Sequence, residues 1–368
     1  MERKLDLIPV GEWGIFSGRR PMVIAGPCSA ETEKQTLETA GKLRALGITV
    51  YRAGLWKPRT HPNTFEGVGS AGLRWLRRVH EEFGMKVCTE VACREHVQEC
   101  LDNGMDMVWI GARTTASPFL VQEIADACSG HGLPVLVKNP VSPDIGLWAG
   151  AMERLSQAGV RKIGVVLRGF SSLEHIRYRN SPGWRVAIEM RSMFPGIPFF
   201  CDPSHMAGDR RYLHEISQRA LDLGLDGLMI ESHCCPSCAL SDAGQQLSPE
   251  DLGTLLGELS ARDQDSDSPE YKESIEQLRA RIDVIDESIL AALGERMDVS
   301  RKIGEYKKKN NIAIIQASRW DTVLERVRSI GAGYGLDPDF VEILYNTIHE
   351  ASVRSQNDLS GITRGQEE

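Results

Sequence analysis

Eight short apolar runs, rich in β-branched residues, recur roughly thirty residues apart along the chain. They are Met22–Ala25, Ile48–Arg52, Lys86–Glu90, Met107–Gly111, Pro134–Lys138, Ile163–Leu167, Pro198–Asp202 and Gly227–Glu231. Strands covered on both faces read as continuous apolar runs of this kind, and such strands are parallel. Parallel neighbours need long crossovers, usually helical. The gaps supply them, with helical patterns over Thr32–Leu46, Leu73–Phe83, Ser117–Ser129 and Tyr212–Leu223. Eight βα units predict an α/β fold, a (β/α)8 TIM barrel. A doubly wound sheet seldom needs eight strands so evenly spaced. Ahead of the first run, Leu5–Val10 and Gly14–Phe16 predict a hairpin, within residues 1–20, that closes the barrel floor.

Residues 262–270 read Arg-Asp-Gln-Asp-Ser-Asp-Ser-Pro-Glu, acidic and nearly free of apolar side chains, as a linker does. The expected division is a barrel over residues 1–262, a linker over 263–270, a helical domain over 271–358 and a frayed tail over 359–368. A chain of 368 residues has room for both domains. It holds 43 Lys and Arg against 51 Asp and Glu, a formal charge of −8, which disfavours nucleic acid as a partner. No stretch of about 18 apolar residues offers a membrane span. Met1-Glu-Arg-Lys-Leu-Asp lacks the apolar core of a secretory signal. Nine scattered cysteines in such a chain read as reduced and cytoplasmic. Cys235 and Cys238, beside Cys234, have C-x-x-C spacing; the expected role is structural, with zinc binding or oxidation near the site as the other readings.

In barrels of this type the chemistry sits on the loops after the C-terminal strand ends. Here those ends carry Cys28; Lys57, Arg59 and Thr60; Glu90; Arg113; Lys138; Arg168; Asp202 and His205; then Glu231 and Asp242. Three of these are arginines and two are lysines. Arginine reads planar anions with a two-pronged fork and lysine acts as a point charge, so the mouth suits a ligand with phosphate and carboxylate groups. Any one of these cations alone would pass for a solvated surface charge. Cys28, His205, Glu231 and Asp242 come from the first, seventh and eighth runs, which become neighbours when the barrel closes. A thiolate, an imidazole and two carboxylates suit a divalent transition ion such as Mn, Fe, Co or Zn.

The runs Ala25-Gly26-Pro27-Cys28-Ser29, Lys57-Pro58-Arg59-Thr60, Ile110-Gly111-Ala112-Arg113, Asp202-Pro203-Ser204-His205 and Leu240-Ser241-Asp242-Ala243-Gly244-Gln245-Gln246 resemble 3-deoxy-D-arabino-heptulosonate 7-phosphate (DAHP) synthases of type I beta over about residues 20–255. The resemblance implies condensation of phosphoenolpyruvate with erythrose 4-phosphate, the entry step of aromatic biosynthesis. It implies one divalent metal ion per barrel, manganese first among the candidates, held by Cys28, His205, Glu231 and Asp242. It places Arg113, Lys138 and Arg168 on phosphoenolpyruvate, Lys57 beside both substrates, and Arg59 and Thr60 on the phosphate of erythrose 4-phosphate. Glu90 and Asp202 join the substrate-binding set as polar strand ends. His233-Cys234-Cys235-Pro236-Ser237-Cys238 replaces the family's His-Pro-Glu-Pro stretch. The rival in this fold is 3-deoxy-D-manno-octulosonate 8-phosphate synthase, which takes arabinose 5-phosphate. That family shows an Ala-Asn-Arg-Ser type of run where this chain has Lys57-Pro58-Arg59-Thr60. A non-catalytic anion-binding barrel is the remote alternative.

After the linker the apolar period changes. Ile275, Leu278, Ile282, Ile285, Ile289, Leu293 and Ile303 mark one long amphipathic helix from Tyr271 to Lys309, stopped at Asn310-Asn311. A second helix is expected from Arg319 to Ile330 and a third from Pro338 to about Asn357. The first spans roughly 57 Å, longer than a small domain shields, so it is expected to pair with another copy in a homodimer, with a tetramer as the next assembly.

Leu278-Arg279, Ile282-Asp283, Asp286, Glu295-Arg296, Ile303-Gly304, Lys307, Arg319, Ser352 and Gln356 resemble the all-helical chorismate mutase family over about residues 270–358. The resemblance implies rearrangement of chorismate to prephenate. Arg296, Lys307, Arg319, Ser352 and Gln356 would line the site, with Arg279 donated by the partner chain. Gln316 stands where the family often has aspartate, and Trp320 where it often has glutamate. The alternative is a domain that only dimerises the chain or senses prephenate or chorismate. The fusion further predicts feedback, with prephenate or chorismate bound to the helical domain slowing the barrel.

Overall fold

The computed structural model describes residues 5–18, 21–57, 64–172, 177–262, 268–313 and 317–358, the side chains of 317–319 and 357–358 excepted. The chain separates into two compact units, Met1–Gln264 and Asp265–Glu368.

In the first unit the strands are β1 (Met22–Gly26), β2 (Val50–Arg52), β3 (Lys86–Val91), β4 (Met107–Ile110), β5 (Val135–Lys138), β6 (Ile163–Leu167), β7 (Phe199–Cys201) and β8 (Gly227–Glu231). They close in sequence order into one barrel, and every neighbouring pair is parallel, β1 with β8 included. Helices fill the crossovers where the 3.6-residue pattern predicts them. Thr32, for example, caps Glu33–Ala45 by accepting the Gln35 N–H. Leu43, Leu73, Leu76, Val121 and Ile124 anchor these helices by burying their apolar faces in the outer core, against the strands.

The inner face explains the site. Side chains two apart on a strand share a face. Ile24, Val50, Cys88, Met107, Trp109, Leu136, Val166, Phe200 and Met229 therefore pack together as a second apolar cluster. Two residues further towards the C-terminal end, the same face reads Arg52, Glu90, Lys138, Arg168, Asp202 and Glu231. The barrel is apolar below and ionic at its mouth.

The expected N-terminal hairpin is not what closes the floor. No strand occurs among residues 5–18; Val10–Glu12 is one 3₁₀ turn instead. Trp13 and Ile15 join the inner cluster, and Phe16 meets Phe200 at 5.5 Å. A Cβ on Gly164 would come within 3.3 Å of the Trp13 ring and 2.7 Å of Leu136. Glycine in β6 therefore leaves room for the indole, and one aromatic plug does what a strand pair was expected to do.

The second unit is helical: Pro269–Lys309, Ala317–Gly333 and Pro338–Asp358. Ser268 caps the first helix through the Tyr271 N–H, so residues 269–270 belong to the helix and not to the expected linker, whose residues 263–267 lie outside the described ones. The expected tail, 359–368, also lies outside them. No helix among the described residues is long and apolar enough to cross a membrane.

The cysteines are not all reduced. Cys235 and Cys238 form a disulfide, while Cys28, Cys88, Cys93, Cys100, Cys128, Cys201 and Cys234 are free.

Candidate active sites

The short helix Pro203–Ala207 follows β7, and Asp202 caps it by accepting the His205 N–H at 3.0 Å. The same carboxylate takes His205 Nδ1 at 2.8 Å and Lys138 Nζ at 2.7 Å. In the neutral tautomer that donates Nδ1–H to Asp202, Nε2 is the lone-pair nitrogen open to a metal ion. It lies 3.6 Å from Glu231 Oε1. Burial alone would raise the Asp202 pKa, but His205 and Lys138 hold it well below the usual carboxylate range.

Cys28, on the loop after β1, is fully buried. Its N–H donates to Gln246 Oε1 at 2.9 Å, and its thiol reaches Asp242 Oδ2 at 3.3 Å. Burial, and next the charge of Glu231, push the thiol up to about 12. His205 and Arg179 hold Asp242 well below the carboxylate range against the effect of burial. One donor atom each from Cys28, His205 and Asp242 lies within 4.8 Å of the others. Three of the four expected metal ligands thus form one cluster. The fourth, Glu231, adjoins it through His205, while Arg52 and Gln245 hold its two oxygens at 3.1 and 2.7 Å. Sulfur, imidazole and carboxylate donors at this spacing, with the histidine oriented by a second carboxylate, fit a divalent transition ion.

Lys57 Nζ lies 3.1 Å from Cys28 Sγ, so this predicted residue stands against the cluster. Arg168 is held by Asn180 Oδ1 at 2.9 Å. Burial lowers its pKa, and the nearby Arg179 and Arg113 lower it further. Guanidinium groups this close disfavour one another, which is the condition an anion relieves. Glu90 accepts from Trp109 Nε1 at 3.1 Å, and the indole face lies 4.8 Å from Arg52 and 5.6 Å from Lys138. Arg59 and Thr60 fall outside the described residues.

Arg52, Trp109, Arg179, Gln245 and Gln246 were not among the expected site residues. Arg52 is 1% exposed and binds both Glu231 and the Cys28 carbonyl. A charge at the end of an apolar run was its only signal.

In the second unit a pocket of about 360 Å³ is lined by Arg296, Ser300, Lys307, Trp320, His349, Ser352 and Gln356, with Val299, Ile303, Val323 and Val353. Arg296 donates to Ser352 Oγ at 2.6 Å, and Gln356 Nε2 to Ser300 Oγ at 3.0 Å. A Cβ on Gly304 would come 3.0 Å from Gln356 Cγ, so glycine there lets Gln356 lie over the first helix. Trp320 stacks on His349 at 4.0 Å. Burial, then the charges of Arg296 and Lys307, lower the His349 pKa. Of the expected residues, Arg296, Lys307, Ser352 and Gln356 come together. The Arg319 side chain and Gln316 are outside the described residues. Arg279 is exposed on the same helix as Arg296, about 25 Å along its axis, and does not join the pocket.

Residues 8–266 match the DAHP synthetase I family, and residues 278–357 match chorismate mutase type II. A phospho-2-dehydro-3-deoxyheptonate aldolase of Thermotoga maritima is 32% identical over 237 residues, 64% of this chain and 68% of that protein. A 2-dehydro-3-deoxyphosphooctonate aldolase of Trichlorobacter lovleyi is 29% identical over 281 residues, 70% of this chain and 97% of that protein. The crystal structure of the Thermotoga maritima DAHP synthase superposes with a TM-score of 0.61 at 31% identity, covering 70% of this chain and 72% of that one.

Proposed function

The chain belongs to the DAHP synthetase I family and carries a chorismate mutase type II domain behind it, and on that premise we propose that it catalyses two steps of aromatic biosynthesis. The barrel joins phosphoenolpyruvate to erythrose 4-phosphate, and the helical unit rearranges chorismate to prephenate. The observation that carries the first reading is the Cys28–His205–Asp242 cluster at a mouth that holds buried Lys138, half-buried Lys57 and Arg168, and exposed Arg113.

Arg113, Lys138 and Arg168 bind phosphoenolpyruvate, and Arg59 and Thr60 take the phosphate of the tetrose. Holding both anions together removes most of the entropy cost of their meeting. A divalent ion held by Cys28, His205, Glu231 and Asp242, manganese first among Mn, Fe, Co and Zn, would polarise the aldehyde oxygen as a Lewis acid. Lys57 protonates the alkoxide oxygen that forms as C3 of phosphoenolpyruvate joins the aldehyde carbon. The guanidinium groups hold the phosphate on C2 until water adds to that carbon and phosphate leaves.

The helical unit needs no covalent step. Arg296 and Lys307 hold the chorismate dianion in a compact conformer, and Lys307 and Gln356 donate to the breaking ether oxygen. Ser352 steadies Arg296, and Arg319 completes the cationic wall. The unit works as a homodimer, in which the partner supplies Arg279. Leu278, Ile282, Ile285 and Ile289 support this, because they form one exposed stripe at helical spacing. Prephenate or chorismate bound there slows the barrel. The chain works in the cytoplasm.

Loss of chorismate absorbance on adding the full chain tests the second site. Turnover that disappears in Arg296→Ala, with condensation intact, establishes two enzymes on one chain. No chorismate turnover in the native chain leaves only dimerisation and sensing for that unit. Turnover of arabinose 5-phosphate in preference to erythrose 4-phosphate overturns the barrel assignment.

A further inference from the structure

The disulfide lies in the loop that connects two members of the mouth, Glu231 at the end of β8 and Asp242. Cys238 is exposed and Cys235 half-buried, with a single 3₁₀ turn, Pro236–Cys238, between them. A cross-link stabilises a fold by restricting the unfolded chain, and the effect grows with the loop it closes. A bridge between residues three apart is at the low end, so global stability does not explain this one. Its local effect is different.

Downstream of the bridge, the Leu240 N–H donates to Glu31 Oε1 at 2.7 Å, and Gln246 Nε2 donates to the Ser241 carbonyl at 2.8 Å. Asp242 itself has φ of 51°, the left-handed region that few non-glycine residues occupy. A residue stays there only when its surroundings over-determine it. On the upstream side, the Cys235 N–H donates to His233 Nδ1 at 2.9 Å and the Cys234 N–H to Thr39 Oγ1 at 3.2 Å. The bridge ties these two anchored stretches into one rigid loop, and that loop delivers the Asp242 carboxylate to Cys28 and His205.

We propose that Cys235 and Cys238 are a thiol–disulfide exchange site, open to small thiols and protein dithiols, whose closed state holds Asp242 in the metal cluster. The second half rests on the metal reading of that cluster. In reduction, a thiolate attacks the exposed Cys238 sulfur, the S–S bond breaks, and Cys235 leaves as a thiolate that takes a proton from water. A second thiol of the reductant attacks the mixed disulfide. Cys238 is released as a thiol, and the reductant departs as its own disulfide. Oxidation by glutathione disulfide is the reverse, yielding two glutathione thiols.

The full chain is equilibrated with reduced or oxidised glutathione, freed of it, and unfolded in an alkylating agent. Peptide mass then reads the state of Cys235 and Cys238, and equilibrium dialysis reads Co2+ affinity of the folded forms. The expected result is a bridge that opens and closes reversibly, with Co2+ bound at least threefold more weakly by the reduced form. Cys235→Ser/Cys238→Ser should bind Co2+ with one affinity after either treatment, which separates the loop from any effect on Cys28. Thiols at both positions in the oxidising buffer overturn the proposal. Equal Co2+ affinity of the two forms overturns the link to Asp242. Co2+ bound by neither form overturns the metal reading as well, while the mass still reports the bridge.

Discussion

His205 Nδ1 lies 2.8 Å from Asp202 Oδ2, and that oxygen also accepts Lys138 Nζ at 2.7 Å. One buried carboxylate thus orients an imidazole and neutralises a lysine. Asp202→Asn should weaken metal binding by roughly 10–100-fold, the usual cost of losing a histidine's outer partner. It should also destabilise the barrel by about 3–5 kcal/mol, because Lys138 is left buried without its counter-charge. Equilibrium dialysis with Mn2+ below the unfolding temperature reads the first effect and denaturant unfolding the second. Unchanged Mn2+ affinity would sink the orienting role.

Gly304→Ala tests the seat of Gln356 over the first helix of the second unit. Alanine is favoured over glycine inside a helix by about 1 kcal/mol. Against this, the new methyl would lie 3.0 Å from Gln356 Cγ and 3.2 Å from its Cα, so the backbone of the third helix must give way there as well as the side chain. The expected outcome is a helical unit no more stable than before, the backbone shift offsetting the gain in helix propensity, with kcat/KM for chorismate lowered at least tenfold. Full turnover would show that Gln356 does not touch the reacting ether.

His349 should titrate below the ordinary histidine value of about 6.5. Burial and the charges of Arg296 and Lys307 disfavour its cation, and Glu350 opposes them only in part. As pH falls, the unfolded chain takes up this proton before the folded one. The contribution to stability is complete above the ordinary histidine range and declines as pH falls through it towards the lowered folded value. A dianion beside Arg296 and Lys307 offsets their charge, so prephenate should raise the His349 pKa. The ring C–H resonance that vanishes in His349→Phe gives the measurement. A midpoint that prephenate leaves in place would count against a dianion at this pocket.

How far the sequence alone reaches depends on whether a signal is local. The strand runs and helix caps are local, and the barrel follows from their spacing. Cys28, His205 and Asp242 gather as expected because strand ends of a closed barrel converge. Arg52 was hidden because its partner, Glu231, is 179 residues away and nothing beside Arg52 records it. Trp109 reads as one more apolar strand residue until its Nε1 is seen on Glu90. Leu5, Ile8 and Val10 have the look of a strand, but the floor has space for one indole, and Trp13 takes it. The C-x-x-C spacing allows a bridge without saying whether one forms.

Arg179 shows which measurement is sensitive to a partly exposed charge. Its Nη1 donates to Asp242 Oδ1 at 2.9 Å and to Gln245 Oε1 at 3.0 Å, and Gln245 in turn holds Glu231. Half of the arginine side chain is exposed, so its ion pair contributes about 1 kcal/mol or less to stability. Its geometric effect is larger, because a single nitrogen, Nη1, joins the Asp242 carboxylate to Gln245 and, through Gln245, to Glu231. Arg179→Met should therefore leave the unfolding midpoint nearly unchanged and weaken Mn2+ binding several-fold. Arg179→Lys keeps a charge and a nitrogen with several donors but on a shorter side chain, and should recover only the part of that affinity that does not depend on reach to both Asp242 and Gln245. If lysine restores it fully, charge alone matters at this position and the link through Gln245 does not.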